Sequence, residues 1–189
     1  MIRSGFDFDG APGAASRRAR HWAAFLLLLL SLAIPAQPKT ARGASPDPPL
    51  AASFALPTST GTVTLDGLRT KVVLVDFWAS WCGPCRQSFP WLSTMSQRYG
   101  EQGLVVVAIN LDKDRDLAQA FLRRFSPPFI VAFDPAGKTA EAFNVTAMPS
   151  SFLVSRSGRV VYSHAGFDLR DTDAIEQQIQ KQIKEESVQ

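Results

Sequence analysis

The chain has 189 residues, a formal net charge of +3 and 46% hydrophobic side chains. That length and apolar content suffice for one folded domain with its own core. Several arginines fall in the first twenty residues, and no lysine and arginine stripe with interleaved aromatic residues follows them, so we expect no nucleic-acid partner.

The first 36 residues have the layout of a secretory signal. Three arginines between positions 17 and 20 precede an apolar run at 22–34, and small residues follow Pro35. The run is shorter than the about twenty apolar residues of a membrane span. We predict a signal peptide or N-terminal anchor at residues 1–36, and therefore export; the family resemblance described below implies that the destination is the periplasm.

The next segment, residues 37–50, is rich in proline, alanine, glycine and serine and has no apolar periodicity. Such a composition is typical of a flexible linker. We predict that one folded domain occupies residues 51–189.

Within this domain, hydrophobic periodicity predicts alternating strands and helices. The expected strands are 62–65, 72–77, 104–111, 129–133, 151–155 and 160–164, and the expected helices are 84–99, 114–125, 139–143 and 171–186. The first strand with its Asp66-Gly67 turn predicts half of an N-terminal hairpin. The order of the elements predicts an α/β fold with a central sheet of mixed direction and helices on both faces.

The two cysteines of the chain, Cys82 and Cys85, stand where a buried strand meets a helix. A C-x-x-C pair in this position is typical of a thioredoxin-like redox motif. The start of a helix stabilises a thiolate, so we expect Cys82 to be the reactive thiol and Cys85, one turn further on, to be less exposed. A bridge across three positions closes a minimal loop and stabilises little, so the pair indicates redox chemistry.

The segment V-D-F-W-A-S-W-C-G-P-C-R, residues 75–86, resembles the active-site segment of thioredoxins. Three further features are similar to the exported TlpA/ResA-type thiol-disulfide reductases. They are the export segment with its spacer, an insertion at 112–137, and the motifs A-M-P-S-S-F-L-V, R-S-G-R-V and H-A-G-F. The resemblance covers about residues 54–166 and implies a thioredoxin-like fold in which the insertion adds a strand and a helix.

The resemblance also implies roles for individual residues. Asp76 would be a buried acid that assists proton transfer when Cys85 attacks, with a pKa raised by its apolar strand; a purely structural hydrogen-bonding role is the alternative. Met148-Pro149 would form a cis peptide bond beside the cysteines, where the backbone pairs with substrate; an ordinary trans proline is the alternative. The implied substrate-binding residues are Trp81, Gly83, Pro84, Met148 and Pro149. Trp78 is expected to belong to the core.

One position departs from the thioredoxin pattern. Thioredoxins place a lysine on the strand that faces the buried acid, and we align that position with Ile109. The resemblance to exported members also implies a second acid from another position, but neither Glu101 nor Asp112 is obviously placed to supply it, so this acid stays unassigned.

The predicted function is a thiol-disulfide oxidoreductase that reduces disulfides in exported proteins, for cytochrome c maturation or copper-centre assembly. Gly83-Pro84 between the cysteines favours the reductase direction. The resemblance implies a membrane electron donor of the DsbD/CcdA type. We expect no cofactor, no bound metal and a monomer.

Two other functions compete with this prediction. A copper-binding or chaperone module would use the two thiols with His164. Two observations speak against it: His164 ends a predicted strand, and copper chaperones of related fold have a C-x-x-x-C spacing. A thiol peroxidase is the second alternative, but Ala79 stands where such an enzyme would have a threonine, three residues before Cys82.

Overall fold

The computed structural model describes residues 47–185. The residues predicted as signal peptide or anchor, and most of the predicted linker, lie outside this part. The strands are β1 Ala55–Pro57, β2 Thr62–Thr64, β3 Val72–Trp78, β4 Leu104–Asn110, β5 Ile130–Phe133, β6 Ser150–Val154 and β7 Val160–Ala165. The helices are α1 Cys85–Tyr99, α2 Arg115–Phe125, α3 Lys138–Ala142 and α4 Thr172–Glu185.

Five strands form the central sheet in the order β5-β4-β3-β6-β7. The strands β3, β4 and β5 run parallel, and β6 and β7 are antiparallel to their neighbours. The predicted mixed sheet is therefore confirmed. Strands β1 and β2 pair separately as the predicted N-terminal hairpin, and the insertion supplies α2 and β5.

The central strand β3 is buried along its whole length because each face of the sheet carries its own core. Residues 72, 74 and 78 pack with α1, α2 and α4, whereas residues 73, 75 and 77 pack with α3 and the N-terminal hairpin. A continuous apolar run of this kind is typical of strands covered on both sides. The prediction of helices on both faces is confirmed.

The last residues of the predicted linker already contact the folded domain. Arg159 donates a hydrogen bond to the Pro48 carbonyl, and Leu50 forms an isolated bridge with Arg159. Among residues 47–185, no helix is long and apolar enough to cross a membrane.

Trp78 belongs to the core, as expected. It is fully buried, and its ring lies 4.7 Å from the rings of both Phe89 in α1 and Phe121 in α2. These edge-on and tilted contacts join the end of β3 to α1 and α2, which fixes the segment that carries the cysteines.

Candidate active site

The cysteines form a disulfide that joins Cys82, in the loop after β3, to Cys85, the first residue of α1. The Sγ atoms are 2.06 Å apart and the Cα atoms 5.4 Å apart. The backbone N–H of Cys85 donates a hydrogen bond of 3.2 Å to Cys82 Sγ, the contact that stabilises a thiolate at a helix start. Cys82 keeps 4% of its surface exposed and Cys85 none, in the order expected from their positions.

A cleft of about 460 Å³ opens beside the disulfide. Its walls come mainly from the cysteine segment and from a loop before β6, with one further residue after β4 and one in α3. The residues that line it are Trp81, Cys82, Gly83, Pro84, Leu111, Ala140, Val145, Thr146, Ala147 and Met148. Four of the five residues predicted to bind substrate therefore line one cleft with Cys82. Pro149, the fifth, is buried next to Met148.

The loop before β6 contains the cis peptide bond Met148-Pro149 that the resemblance implies. The neighbouring carbonyls have partners, since Pro149 O accepts from Gly166 N–H and Ala147 O accepts from the Ser150 hydroxyl. Within residues 47–185, no hydrogen bond reaches the backbone N–H or C=O of Met148. Those two groups are available to an extended peptide in the cleft.

Asp76 is completely buried in β3, on the sheet face that packs against α1. Its Oδ1 accepts a hydrogen bond of 2.6 Å from Ser151 Oγ on β6, whereas Oδ2 has no partner in the described part of the chain. Burial raises the pKa of Asp76 to about 7, and the bond from Ser151 offsets a smaller part of that shift. A carboxyl with this pKa can take or give a proton near neutrality.

The strand register corrects the alignment at Ile109. Asp76 is paired with Ala108 on β4, while Ile109 is paired with Phe77 and belongs to the core on the opposite face. The prediction that Ile109 faces the acid was wrong by one residue, which reverses the face. Its consequence is unchanged, because Ala108 also offers no basic group.

Sequence reasoning missed the polar network that holds the segment before the cysteines. Asp112, which is buried after β4, accepts hydrogen bonds from Ser80 N–H at 2.8 Å and Ser80 Oγ at 2.9 Å. The Asn110 side chain donates to the same carboxylate at 2.7 Å. The sequence does carry a signal for this network: two polar residues, Asn110 and Asp112, stand at the end of an otherwise apolar strand. Asp112 thus fixes the residue that precedes Trp81 and Cys82.

Ser151 was also missed, because its partner Asp76 is 75 positions away in the chain. The signal was a serine in an apolar strand that directly follows the proline loop.

His164 lies on β7 and its Nε2 is 3.5 Å from Asp171 Oδ2. It does not line the cleft with Cys82. Among residues 47–185, no group of three or more histidine, cysteine, aspartate or glutamate side chains is arranged to hold a metal ion. The position of His164 fits the strand-end interpretation.

A C-x-x-C disulfide at a helix start, a buried carboxyl in the preceding strand and a cis-proline loop beside the same cleft, on a mixed sheet, define a domain of thioredoxin-like fold with a disulfide-capable cysteine pair. The Redoxin family model matches residues 45–179, and the chain belongs to this family.

Curated relatives include thiol-disulfide oxidoreductase ResA of Bacillus subtilis, 30% identical over 59% of this chain and 63% of its own length. Another is a thiol:disulfide interchange protein DsbE homolog of Paracoccus denitrificans, 42% identical over 50% of this chain and 51% of its own length. The chain therefore spans between about half and three-fifths of these relatives. The resemblance to ResA-type oxidoreductases is confirmed.

A solved structure of a candidate thiol:disulfide interchange protein DsbE from Chlorobium tepidum is 48% identical. It superposes with a TM-score of 0.71 over 72% of this chain and 96% of that chain. A thioredoxin-like protein from Neisseria meningitidis, 24% identical, has a TM-score of 0.65 over 74% of this chain and 93% of its own, which supports the fold alone. The predicted thioredoxin-like fold is confirmed.

Proposed function

We propose that this protein is exported and reduces disulfides in periplasmic proteins through Cys82 and Cys85. The observation that carries the proposal is the cysteine pair itself: one sulfur lines an open cleft, and the other lies buried beneath it. The names of the ResA and DsbE relatives support the same class of reaction.

The reaction starts with the Cys82 thiolate. It attacks one sulfur of the partner's disulfide, a mixed disulfide forms, and the other partner sulfur leaves as a thiolate that takes a proton from solvent. Cys85 then loses its proton to Asp76, whose unpartnered Oδ2 is the atom assigned to receive it. The Cys85 thiolate attacks Cys82 Sγ and releases the second partner thiolate. Two electrons have passed to the partner, and the Cys82–Cys85 disulfide has formed.

The cleft would hold the partner during these steps. Its apolar lining from Trp81, Pro84 and Met148 suits an extended segment, and the backbone groups of Met148 suit main-chain pairing with it. Candidate partners are exported disulfide-containing proteins in cytochrome c maturation or copper-centre assembly. Because each cycle leaves the enzyme oxidised, we propose recharging by a membrane donor of the DsbD/CcdA type. Export would use residues 1–36, with the linker at 37–50 and the domain at 51–189.

Substitution of each cysteine tests the mechanism. Cys82→Ser should abolish insulin reduction with dithiothreitol as electron source. Cys85→Ser should accumulate mixed disulfides, visible as higher bands on non-reducing gels that thiols remove. Normal turnover by Cys82→Ser would refute the proposal.

The direction of electron flow has its own measurement. Equilibration of the cysteine pair with thiol buffers should give a reduction potential of about −270 mV, the range of a reducing thioredoxin. A value of about −120 mV would instead indicate the opposite role, the insertion of disulfides.

Two results would favour the other predicted functions. Peroxide consumption above background with a thiol reductant would indicate a thiol peroxidase. Stoichiometric Cu(I) that survives purification and is lost in His164→Ala would indicate a copper-binding module.

A further inference from the structure

A second depression adjoins the disulfide segment on the side of α2. It has a volume of about 290 Å³ and contains Ser80 and Arg86, the neighbours of Trp81 and Cys85 in the chain. Helix α2 contributes the rest of the lining, which is apolar except for one arginine: Leu117, Ala120, Phe121, Arg124 and Phe125. Trp81, Cys82, Gly83 and Pro84 line the cleft and not this depression, so the disulfide segment separates two different surfaces.

The depression carries two exposed cations. Arg86 and Arg124 both line it, and within residues 47–185 neither guanidinium forms an ion pair with a carboxylate. The Arg124 guanidinium lies 5.8 Å from the Phe125 ring. Arg115, at the other end of α2, is different because it stacks over the Phe133 ring at 4.0 Å.

Nearby carboxylates do not neutralise this pair of cations directly. Asp112 is buried, and its oxygens are occupied by Ser80 and Asn110. Asp114 and Asp116 stand at the start of α2, where Asp114 caps the helix by accepting from Asp116 N–H. The last turn of the helix instead carries Arg123 and Arg124.

Large apolar side chains are exposed in this depression and in the cysteine segment that adjoins it. Leu117 in the depression is 53% exposed, and Trp81, which follows Ser80 of the depression in the chain, is 67% exposed. They are two of the four large hydrophobic residues exposed in the described part of the chain. Exposed apolar surface together with arginine is the composition enriched at protein interfaces.

We propose that this depression, whose Ser80 precedes the exposed Trp81 in the chain, docks a protein partner that carries carboxylate side chains beside its disulfide. Arginine binds carboxylate through paired hydrogen bonds, and the apolar lining covers the stems of the acidic residues. The inference rests on the proposed function, since docking here brings the partner's disulfide to Cys82. It adds a charge preference that the apolar cleft does not supply.

The test uses the full chain, reduced, and two synthetic peptides with the same internal disulfide. One peptide has aspartate residues flanking the disulfide and the other has asparagine at the same positions. We expect the wild type to reduce the aspartate peptide about 3–10-fold faster at low ionic strength, and this ratio to approach one at high salt.

Charge reversal locates the preference. Arg86→Glu and Arg124→Glu should each remove or invert the ratio between the peptides. Lys71→Glu is the matched control: it makes the same charge change at an exposed residue that precedes β3, at the end of the strand opposite to the cysteines. It should keep the wild-type ratio.

Each other result overturns the inference in a recognisable way. Equal rates for the two peptides with the wild type would refute the docking site but not the proposed reductase function. Loss of the ratio in Lys71→Glu as well would assign it to overall charge. Failure of the wild type to reduce either peptide would refute the proposed function together with the docking site. Urea unfolding of each variant checks that the fold is retained.

Discussion

Ser151 Oγ donates a hydrogen bond of 2.6 Å to Oδ1 of Asp76, and in the described residues this bond leaves Oδ2 as the unpartnered oxygen of a fully buried carboxyl. The two oxygens therefore have different environments. Ser151 holds one and fixes the orientation of the group, while the other can exchange a proton. An unsatisfied buried carboxyl oxygen is costly, which is consistent with a functional group at this position.

Ser151→Ala should raise the pKa of Asp76 further above about 7, because the bond from Ser151 is the contact that lowers it. Less Asp76 is then ionised at pH 7, so Cys85 loses its proton more slowly. We expect the step that resolves the mixed disulfide to slow several-fold at pH 7, and its pH profile to move to higher pH. Stopped-flow measurements across pH test this.

Ser151→Thr is the control for that prediction, since it keeps the hydroxyl. Its pH profile should match the wild type. A profile in Ser151→Ala that keeps its midpoint and only loses amplitude would indicate a structural role instead.

Asp76→Asn should stabilise the folded protein at pH 8. The folded-state pKa of about 7 lies above the usual 3.8, so the folded state binds the proton more tightly and the wild type loses stability as pH rises between these values. At about 1.4 kcal/mol per pKa unit, the gain at pH 8 is on the order of 4 kcal/mol, and it should vanish below pH 4. Urea unfolding of both oxidised proteins at the two pH values measures it. An equal difference at both pH values would contradict the assignment.

Asp112→Ala should loosen the segment before the cysteines. It leaves Ser80 N–H and the Asn110 amide without their shared acceptor, at a cost of about 1–3 kcal/mol. Insulin reduction should also fall, because Ser80 precedes Trp81 and Cys82. Asp66→Ala, which removes an exposed carboxylate paired with Arg69, should change the free energy of unfolding by less than about 1 kcal/mol. Equal effects of the two substitutions would exclude the positioning role.

The two tryptophans of the motif should respond in opposite ways to alanine. Trp81 is 67% exposed, so Trp81→Ala should leave the free energy of unfolding nearly unchanged and lower kcat/KM for protein substrates by about tenfold or more, as expected for an interface aromatic. Trp78 is fully buried, so Trp78→Ala should destabilise the protein by about 3–5 kcal/mol. Unfolding and insulin reduction measured on both variants give the comparison.

The elements and the cysteine site could be predicted from the sequence because they depend on local patterns. Apolar periodicity marked β3, α1 and α4 to within a residue or two, and the spacing of Cys82 and Cys85 at a strand-to-helix junction indicated redox chemistry before any tertiary contact was known. The resemblance to ResA-type proteins added Asp76 and the Met148-Pro149 loop in the same way, from adjacent residues.

Tertiary structure decided which residues surround these groups. Whether Ala108 or Ile109 lies beside Asp76 depends on the register between β3 and β4. A shift of one residue in that register moves each side chain to the other face of the sheet, and the sequence pattern does not specify the register. The bonds from Ser151 to Asp76 and from Ser80 to Asp112 join residues 75 and 32 positions apart. Long-range pairing of the strands, which is set by burial on both faces of the sheet, brings those polar groups together and forms both surfaces beside the disulfide.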